Sequence, residues 1–412
     1  MKINNLDNIK VISGGLCAIS GVKASGTKEG KYGVSIIESL NSNASAVFTS
    51  NKLTAAPIQH TKNIIDKGNL SLIIANSGNA NCFTGEDGIK DCEEMVEYAS
   101  KSLNIPKDEI AVASTGVIGR KMPMDIILNL EKESILALEH SSQGSTNCAK
   151  SIMTTDLVSK EFAVEITLES GEKVKIGGVT KGTGMIAPNM GTMLCFLVTD
   201  AKIDNEYIKI ALKKAVDDSF NMIVVDGDES TNDIAILMAN GKSGVEIVKG
   251  SIIDSNFQKG LNYLTQELAK MMVEDGEGAS KSFEVTANGA ESLNDAKMAV
   301  RSVLSSHLFK AAVFGADPNW GRIAAAVGYS GSSMDQNNLS ISLASNDTEV
   351  FCVKNGKPLA LDNTENLKIA EKIMENKNIK INIDLNIGNY SASGWGCDLT
   401  YDYVKLNAEY TT

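Results

Sequence analysis

A threonine that follows a glycine can become two catalytic groups at once. In this 412-residue chain the run Lys181-Gly182-Thr183-Gly184-Met185-Ile186-Ala187-Pro188-Asn189-Met190-Gly191-Thr192-Met193-Leu194 carries a glycine-rich loop into an apolar stretch, with Thr192 at the junction. Scission of the Gly191–Thr192 peptide bond would give Thr192 a free α-amine beside its own hydroxyl. One residue then holds both nucleophile and base. Scission itself requires the threonine hydroxyl to attack the preceding carbonyl, an N-to-O acyl shift, and hydrolysis of the ester. Glycine at 191 lets the backbone reach the strained conformation this needs. The new amine would titrate near ~7.7–8, so a useful fraction is neutral at neutral pH.

The rest of the sequence offers few other bases. There are three histidines, His60, His140 and His307, each isolated from acidic or cysteine neighbours at ligand spacing. No metal site or serine–histidine pair is legible from them. The acidic run Asp226-Gly227-Asp228-Glu229-Ser230-Thr231-Asn232-Asp233 begins like a calcium loop, but its sixth position is Thr231 and its twelfth is Leu237. The first should be glycine and the second an acid, so the EF-hand reading fails. The Lys181–Thr192 loop is not a nucleotide loop either, because it lacks the GxxxxGK[ST] order.

The elements that must position these residues are readable from periodicity. Leu72–Ala75, Met193–Val198 and Met222–Val225 are short apolar runs that predict buried strands. Ile379, Ile381, Ile383, Leu385 and Ile387 alternate with polar residues, as a strand with one buried face does. Val164 to Ile176, broken at Ser170-Gly171-Glu172, predicts a hairpin. Helical spacing predicts helices from an Asp204 cap to about Phe220, over Leu261–Met272 and over Asn294–Leu304. The alternation of strands and helices points to a layered α/β or α+β protein.

Composition bounds the setting. The chain is 43% hydrophobic and 22% charged, with a net charge of −12. That balance describes a folded globular protein and argues against a nucleic-acid or anionic-membrane partner, while leaving small acidic substrates open. No apolar run approaches the ~20 residues of a membrane span, and the first ten residues lack a secretory h-region. Seven scattered cysteines without CxxC spacing fit free thiols in a reducing, cytoplasmic compartment.

The run from Lys181 to Leu194 closely resembles the autoprocessing site of the ornithine acetyltransferase (glutamate N-acetyltransferase) family. The resemblance spans nearly the whole chain. It takes in Ala75-Asn76-Ser77-Gly78-Asn79-Ala80-Asn81, Ser114-Thr115-Gly116-Val117-Ile118-Gly119, Met153-Thr154-Thr155-Asp156, Asp275-Gly276-Glu277-Gly278-Ala279, Phe314-Gly315-Ala316-Asp317-Pro318-Asn319-Trp320-Gly321-Arg322 and Tyr401-Asp402-Tyr403. One position departs: family members usually carry alanine before the threonine, and this chain has Gly191.

The resemblance implies stacked β-sheets flanked by helices, reminiscent of N-terminal-nucleophile enzymes. It implies an N-terminal chain 1–191 and a C-terminal chain 192–412 that stay associated, as a heterotetramer of two of each. Thr192 would be the nucleophile, with Thr115 and Gly116 stabilising the oxyanion. Substrate would be held by Thr154 or Thr155, Lys181, Thr192, Glu277, Asn407 and Thr412. Tyr401, Tyr403, Val404 and Leu406 would dock the tail that carries the last two. The Asp226–Asp233 run would lie close to the active site, and Asp317–Arg322 would be a structural turn near it. The implied reaction moves acetyl from N-acetylornithine to glutamate, releasing ornithine, with no metal or organic cofactor. Some members of the family also accept acetyl-CoA. A hydrolase of the N-terminal-nucleophile type and a non-enzymatic amino-acid-binding protein are the rival readings.

Overall fold

The computed structural model describes residues 7–187, 193–250 and 252–409. Gly191, Thr192 and Thr412 therefore lie outside the described residues. In chain order the strands are β1 (Ile9–Ile12), β2 (Val22–Glu29), β3 (Tyr32–Phe48), β4 (Asn69–Asn79), β5 (Ile110–Val117), β6 (Lys160–Thr167), β7 (Lys173–Lys181), β8 (Leu194–Thr199) and β9 (Ile223–Val224). They continue as β10 (Ile234–Ala239), β11 (Val248–Lys249), β12 (Ile252–Ile253), β13 (Ser282–Ala290), β14 (Ser340–Ser345), β15 (Thr348–Lys354), β16 (Lys357–Pro358), β17 (Asn378–Asp384) and β18 (Tyr390–Cys397). The helices are α1 (Ala56–Ile65), α2 (Gly85–Leu103), α3 (Met124–Leu136), α4 (Ser142–Ser151), α5 (Asn205–Asp217), α6 (Ser255–Glu274), α7 (Leu293–Leu304), α8 (His307–Phe314), α9 (Trp320–Gly328), α10 (Glu365–Met374) and α11 (Tyr401–Glu409).

The larger sheet has nine strands, ordered β1-β6-β7-β8-β10-β3-β4-β5, with β2 added to β3. Its hinge is β3. The first half of this long strand pairs with β2 and the second half with β10, while β4 runs along its other edge. Between Glu38 and Ser42 the register slips, and Asn41 takes a left-handed φ of 54°. Such a bulge bends a strand and sharpens its twist. The two halves of the sheet consequently stack. Leu194, Phe196, Val198, Ile234, Ile236 and Met238 from β8 and β10 share one core with Ile37, Ile73, Ala75, Ala111 and Ala113 from β3, β4 and β5. Helices α2 and α3 cover the outer face of the β3–β5 half, where Val34, Ile36, Leu72, Ile74 and Val112 point. Helices α5 and α6 cover the other half and join it to the second sheet, of seven strands ordered β16-β15-β14-β17-β13-β18-β9. The layered α/β architecture with stacked sheets flanked by helices agrees with the sequence expectation.

Strand β8 is the piece on which the two halves of the sequence meet. It runs antiparallel to β7, with Lys181 opposite Leu194, and parallel to β10, with Ile234 opposite Leu194. All six of its residues are buried.

Details differ from the periodicity reading for identifiable reasons. The Leu72–Ala75 run continues as strand through Asn76-Ser77-Gly78-Asn79, because those polar side chains are buried and bonded: Asn76 donates to the Asn79 carbonyl and accepts from the Ser114 hydroxyl, and Ser77 donates to the Ser151 carbonyl. In Met222–Val225 only Ile223 and Val224 are strand. The alternating run leaves the sheet after Asp384, and Asn386 turns at φ 52°. Asp204 stands at the N-cap of α5, but its side chain makes no capping hydrogen bond. The hairpin at Gly171 and the helix at Asn294–Leu304 form as read, while the helix expected over Leu261–Met272 begins six residues earlier, at Ser255, behind an Asp254 cap.

Phe196 is fully buried between the stacked half-sheets. Phe196→Ala should therefore cost about 3–5 kcal/mol of stability. A urea titration followed by circular dichroism would show the midpoint falling accordingly.

Candidate active site

Two strand ends and two helix-exit loops converge on one cavity of about 280 Å³. Thr115 and Gly116 come from the end of β5, Lys181 from the end of β7, Thr154 and Thr155 from the loop after α4, and Glu277 from the loop after α6. Asn407 of α11 joins them. Ala80, Ile118, Met185, Ser230, Thr231 and Asn232 line other parts of the wall.

The β5 end is shaped by close approach of backbones. Gly116 has φ 132°, and a Cβ there would sit 2.4 Å from the carbonyl carbon of Gly78 on β4. Only glycine fits both the angle and the space. Asn232 ties this end down by donating from Nδ2 to the carbonyl oxygens of Ala80 at 2.6 Å and Ser114 at 2.9 Å.

Lys181 is buried, and its Nζ donates to Thr154 Oγ1 at 2.7 Å and to Thr115 Oγ1 at 3.3 Å. Its nearest carboxylate is Asp156, at 3.8 Å. Asp156 is itself a hub. One of its oxygens accepts from Lys160 Nζ at 2.7 Å and from the Gly182 amide at 3.0 Å, and the other accepts from the Thr154 amide at 3.1 Å. Lys160, the first residue of β6 and only 1% exposed, also donates to Asp275 at 2.6 Å. Asp275 in turn accepts from the Leu157 amide at 3.0 Å and leads directly into Glu277.

Two lysines and two aspartates thus meet out of reach of water. Burial works against the Asp156 charge, but Lys181 and Lys160 outweigh it and hold the carboxyl down at about 2. Burial pulls the Lys181 ammonium below the usual lysine value, with Asp156 opposing.

The acid of the cavity is Glu277. Its carboxylate packs against Gly184, where a Cβ would come within 2.4 Å, and Oε2 accepts from Asn407 Nδ2 at 3.0 Å. Thr155 shares a hydrogen bond with Thr183 at 2.8 Å. Both Thr154 and Thr155 therefore reach the cavity, and they do different things there: one receives the Lys181 ammonium and the other braces the Thr183 loop.

On either side of the undescribed stretch, two carboxylates hold the chain. Asp226 accepts from the amides of Met185 at 2.6 Å and Ile186 at 2.9 Å. Asp233 accepts from the amide of Met193 at 2.8 Å, and burial raises its pKa well above the usual carboxylate value.

The tail docks with less apolar burial than the sequence suggests: of the four expected anchors Tyr403 is half-buried, whereas Tyr401, Val404 and Leu406 are exposed. It is held by the edge contact of Tyr401 with Phe314, by Thr400 Oγ1 donating to the Gly278 carbonyl at 2.6 Å, and by Asn407 on Glu277. None of Asp317–Arg322 lines the cavity. That segment is a structural turn in which Asn319 caps α9 and Trp320 Nε1 donates to the Ala360 carbonyl at 2.9 Å. From the acidic run, Ser230–Asn232 line the cavity. Lys160 is the residue that sequence reasoning misses. Its two carboxylate partners lie 4 and 115 residues away, and no motif links them.

The histidines stay out of the cavity. His60 bonds the Ile110 carbonyl and His140 the Val22 carbonyl. All seven cysteines are free and buried. Among the described residues no group of three or more His, Cys, Asp or Glu is placed to hold a metal ion, and no helix is long and apolar enough to cross a membrane.

Hydroxyls, a buried ammonium and a carboxylate gathered on one small cavity suit a small molecule that carries charge. The profile of the ArgJ family matches residues 19–412, and the chain belongs to that family. It is 51% identical over 404 residues to the glutamate N-acetyltransferase of Methanothermobacter thermautotrophicus, covering 98% of this chain and 99% of that one. It is 48% identical over 408 residues to the glutamate N-acetyltransferase of Methanocaldococcus jannaschii, covering 98% and 100%. Among solved structures it is similar to the arginine biosynthesis bifunctional protein of Bacillus halodurans, at 39% identity over 52% of this chain and 98% of that one, with a TM-score of 0.48. A second is the ornithine acetyltransferase of Mycobacterium tuberculosis complexed with ornithine, at 28% identity, 45% and 100% coverage and a TM-score of 0.40.

The depressed Asp156 fixes the sign of an acid dependence. Its folded pKa of about 2 lies below the ~3.9 of an unfolded aspartate, so its contribution is full above about pH 4 and is lost as pH falls toward 2. Asp156→Asn should lower the denaturation midpoint at neutral pH and flatten the loss of stability between pH 4 and 2. Denaturant titrations across that range check it.

Proposed function

We propose that this chain is a glutamate N-acetyltransferase of arginine biosynthesis that makes its own nucleophile by cleaving itself between Gly191 and Thr192. The observation that carries the reading is the cavity shared by Thr115, Gly116, Lys181 and Glu277 at the open end of β7, where Leu194, two residues after Thr192, is paired. The oxyanion donors, an ammonium and a carboxylate are those an acetylated amino acid calls for. The curated relatives matched along their whole length carry the glutamate N-acetyltransferase name.

In this reading the Thr192 hydroxyl attacks the acetyl carbonyl of N-acetylornithine, and its proton passes to the Thr192 α-amine. Thr115 and Gly116 receive the oxygen as it gains charge, an interaction worth about 3 kcal/mol per donor in acyl transfer. The carbon–nitrogen bond breaks, the departing amine of ornithine takes the proton, and an acetyl-threonine ester remains. The amine of glutamate then attacks that ester. The threonine oxygen leaves with its proton restored, and N-acetylglutamate departs. Glu277, braced by Asn407, suits the ammonium end of the ornithine side chain, and Thr154, Thr155 and Thr412 complete the substrate contacts. Acetyl-CoA is a second acetyl donor open to the same ester chemistry. The cycle uses no metal or organic cofactor. Chains 1–191 and 192–412 remain joined through β7 and β8 and assemble as a cytoplasmic heterotetramer.

The test is intact mass under denaturing conditions, beside an acetyl-transfer assay. The wild type should give two chains meeting at Gly191/Thr192 and should move acetyl from N-acetylornithine to glutamate. Thr192→Ala should stay whole and inactive. An uncut wild type would contradict the self-made nucleophile. Acetate released without N-acetylglutamate would make the enzyme a hydrolase.

A further inference from the structure

The two buried lysines are not equivalent. Lys160 faces two carboxylates, at 2.7 Å and 2.6 Å, whereas Lys181 has its nearest carboxylate at 3.8 Å and donates to two hydroxyls, Thr154 at 2.7 Å and Thr115 at 3.3 Å. Lys160 and the Gly182 amide share one Asp156 oxygen, and the other, the one 3.8 Å from Lys181, accepts from the Thr154 amide. The charge of Lys181 is thereby left for Thr154 and Thr115.

What that does to Thr115 follows from donor counting. An ammonium only donates, whereas a hydroxyl has one proton to give and lone pairs to receive. With Lys181 donating to it, Thr115 Oγ1 is an acceptor on that side, and its own proton is turned elsewhere. Thr115 lines the cavity, so that proton is available to a carbonyl oxygen there. At 3.3 Å the contact is long for a resting hydrogen bond. It has room to shorten when charge develops on the other side of the hydroxyl, as catalytic hydrogen bonds do.

We propose that Lys181 is a positioning residue for the transition state, acting through Thr115: its ammonium fixes the threonine hydroxyl as a donor toward the acetyl oxygen and backs that donor with positive charge. Asp156, Lys160 and Asp275 hold the ammonium in that place. No proton leaves Thr115 or Lys181; both keep their bonds while the carbonyl oxygen gains and then loses its charge. This rests on the acetyl-transfer reading and deepens it, because it moves the work of Lys181 from holding substrate to charging the oxyanion donor.

The two roles separate in steady-state kinetics with N-acetylornithine and glutamate, run on protein shown by mass to be split. If Lys181 acts through Thr115, Lys181→Met lowers kcat by about 10²–10³-fold and leaves KM within about threefold. The double variant with Thr115→Val is then no worse than Thr115→Val alone, since each change removes the same interaction. Lys181→Gln, uncharged and of similar length, is the second variant and should behave alike. A KM raised many-fold with kcat retained, or losses that add in the double variant, would overturn the proposal and leave Lys181 as a residue that holds substrate. A wild type that transfers no acetyl would instead remove the acetyl-transfer reading itself.

Discussion

Asp156 gathers two lysines and two backbone amides on one carboxylate, in a place water does not reach. Burying charges is costly unless each is paired and hydrogen-bonded, and here both carboxylate oxygens have donors. The consequence is geometric. The Thr154 loop, the start of β6 and the end of β7 are pinned to one carboxylate, and through Lys160 the same group reaches Asp275 and the Glu277 loop. Every described side chain proposed to meet substrate hangs from that frame or from the β5 end beside it.

The second constraint is the position of β8. It is buried on both faces and bonded on both edges, to β7 before the proposed cut and to β10 after it. A strand so placed cannot leave without opening the core shared by the two half-sheets. A break in the chain just ahead of it would change covalent connectivity while leaving the hydrogen-bond ladder and the packing intact. Asp233 on the Met193 amide and Asp226 on the amides of Met185 and Ile186 hold the two flanks from one loop. The fold thus supplies a rigid frame on both sides of the bond proposed to break.

How much of this is legible in the sequence depends on which force decides each element. Strands set by burial alone, such as β8 and β17, read directly from apolar runs and alternation. Strand β4 extends past its apolar run because Asn76 and Ser77 find buried partners in the Asn79 and Ser151 carbonyls and the Ser114 hydroxyl. Periodicity does not carry that three-dimensional arrangement. The site residues Thr115, Gly116, Lys181, Glu277 and Asn407 come from the resemblance of ordered motifs, and the structure brings them to one cavity. Lys160 cannot be found that way. A lysine reads as surface by default, and Asp275 is far away in sequence. The sequence reads the tail as an apolar anchor, yet its helix contributes a polar hand, Asn407, on a largely exposed stem.

Everything proposed for the site turns on acetyl resting on Thr192 between donor and acceptor. The most direct measurement mixes the enzyme with N-acetylornithine in the absence of glutamate, quenches in acid, and maps the acetyl group by peptide mass spectrometry. One acetyl is expected on the peptide that begins at Thr192, lost on addition of glutamate with formation of N-acetylglutamate. An unmodified Thr192 peptide, with N-acetylglutamate formed only when both substrates are present together, would contradict it.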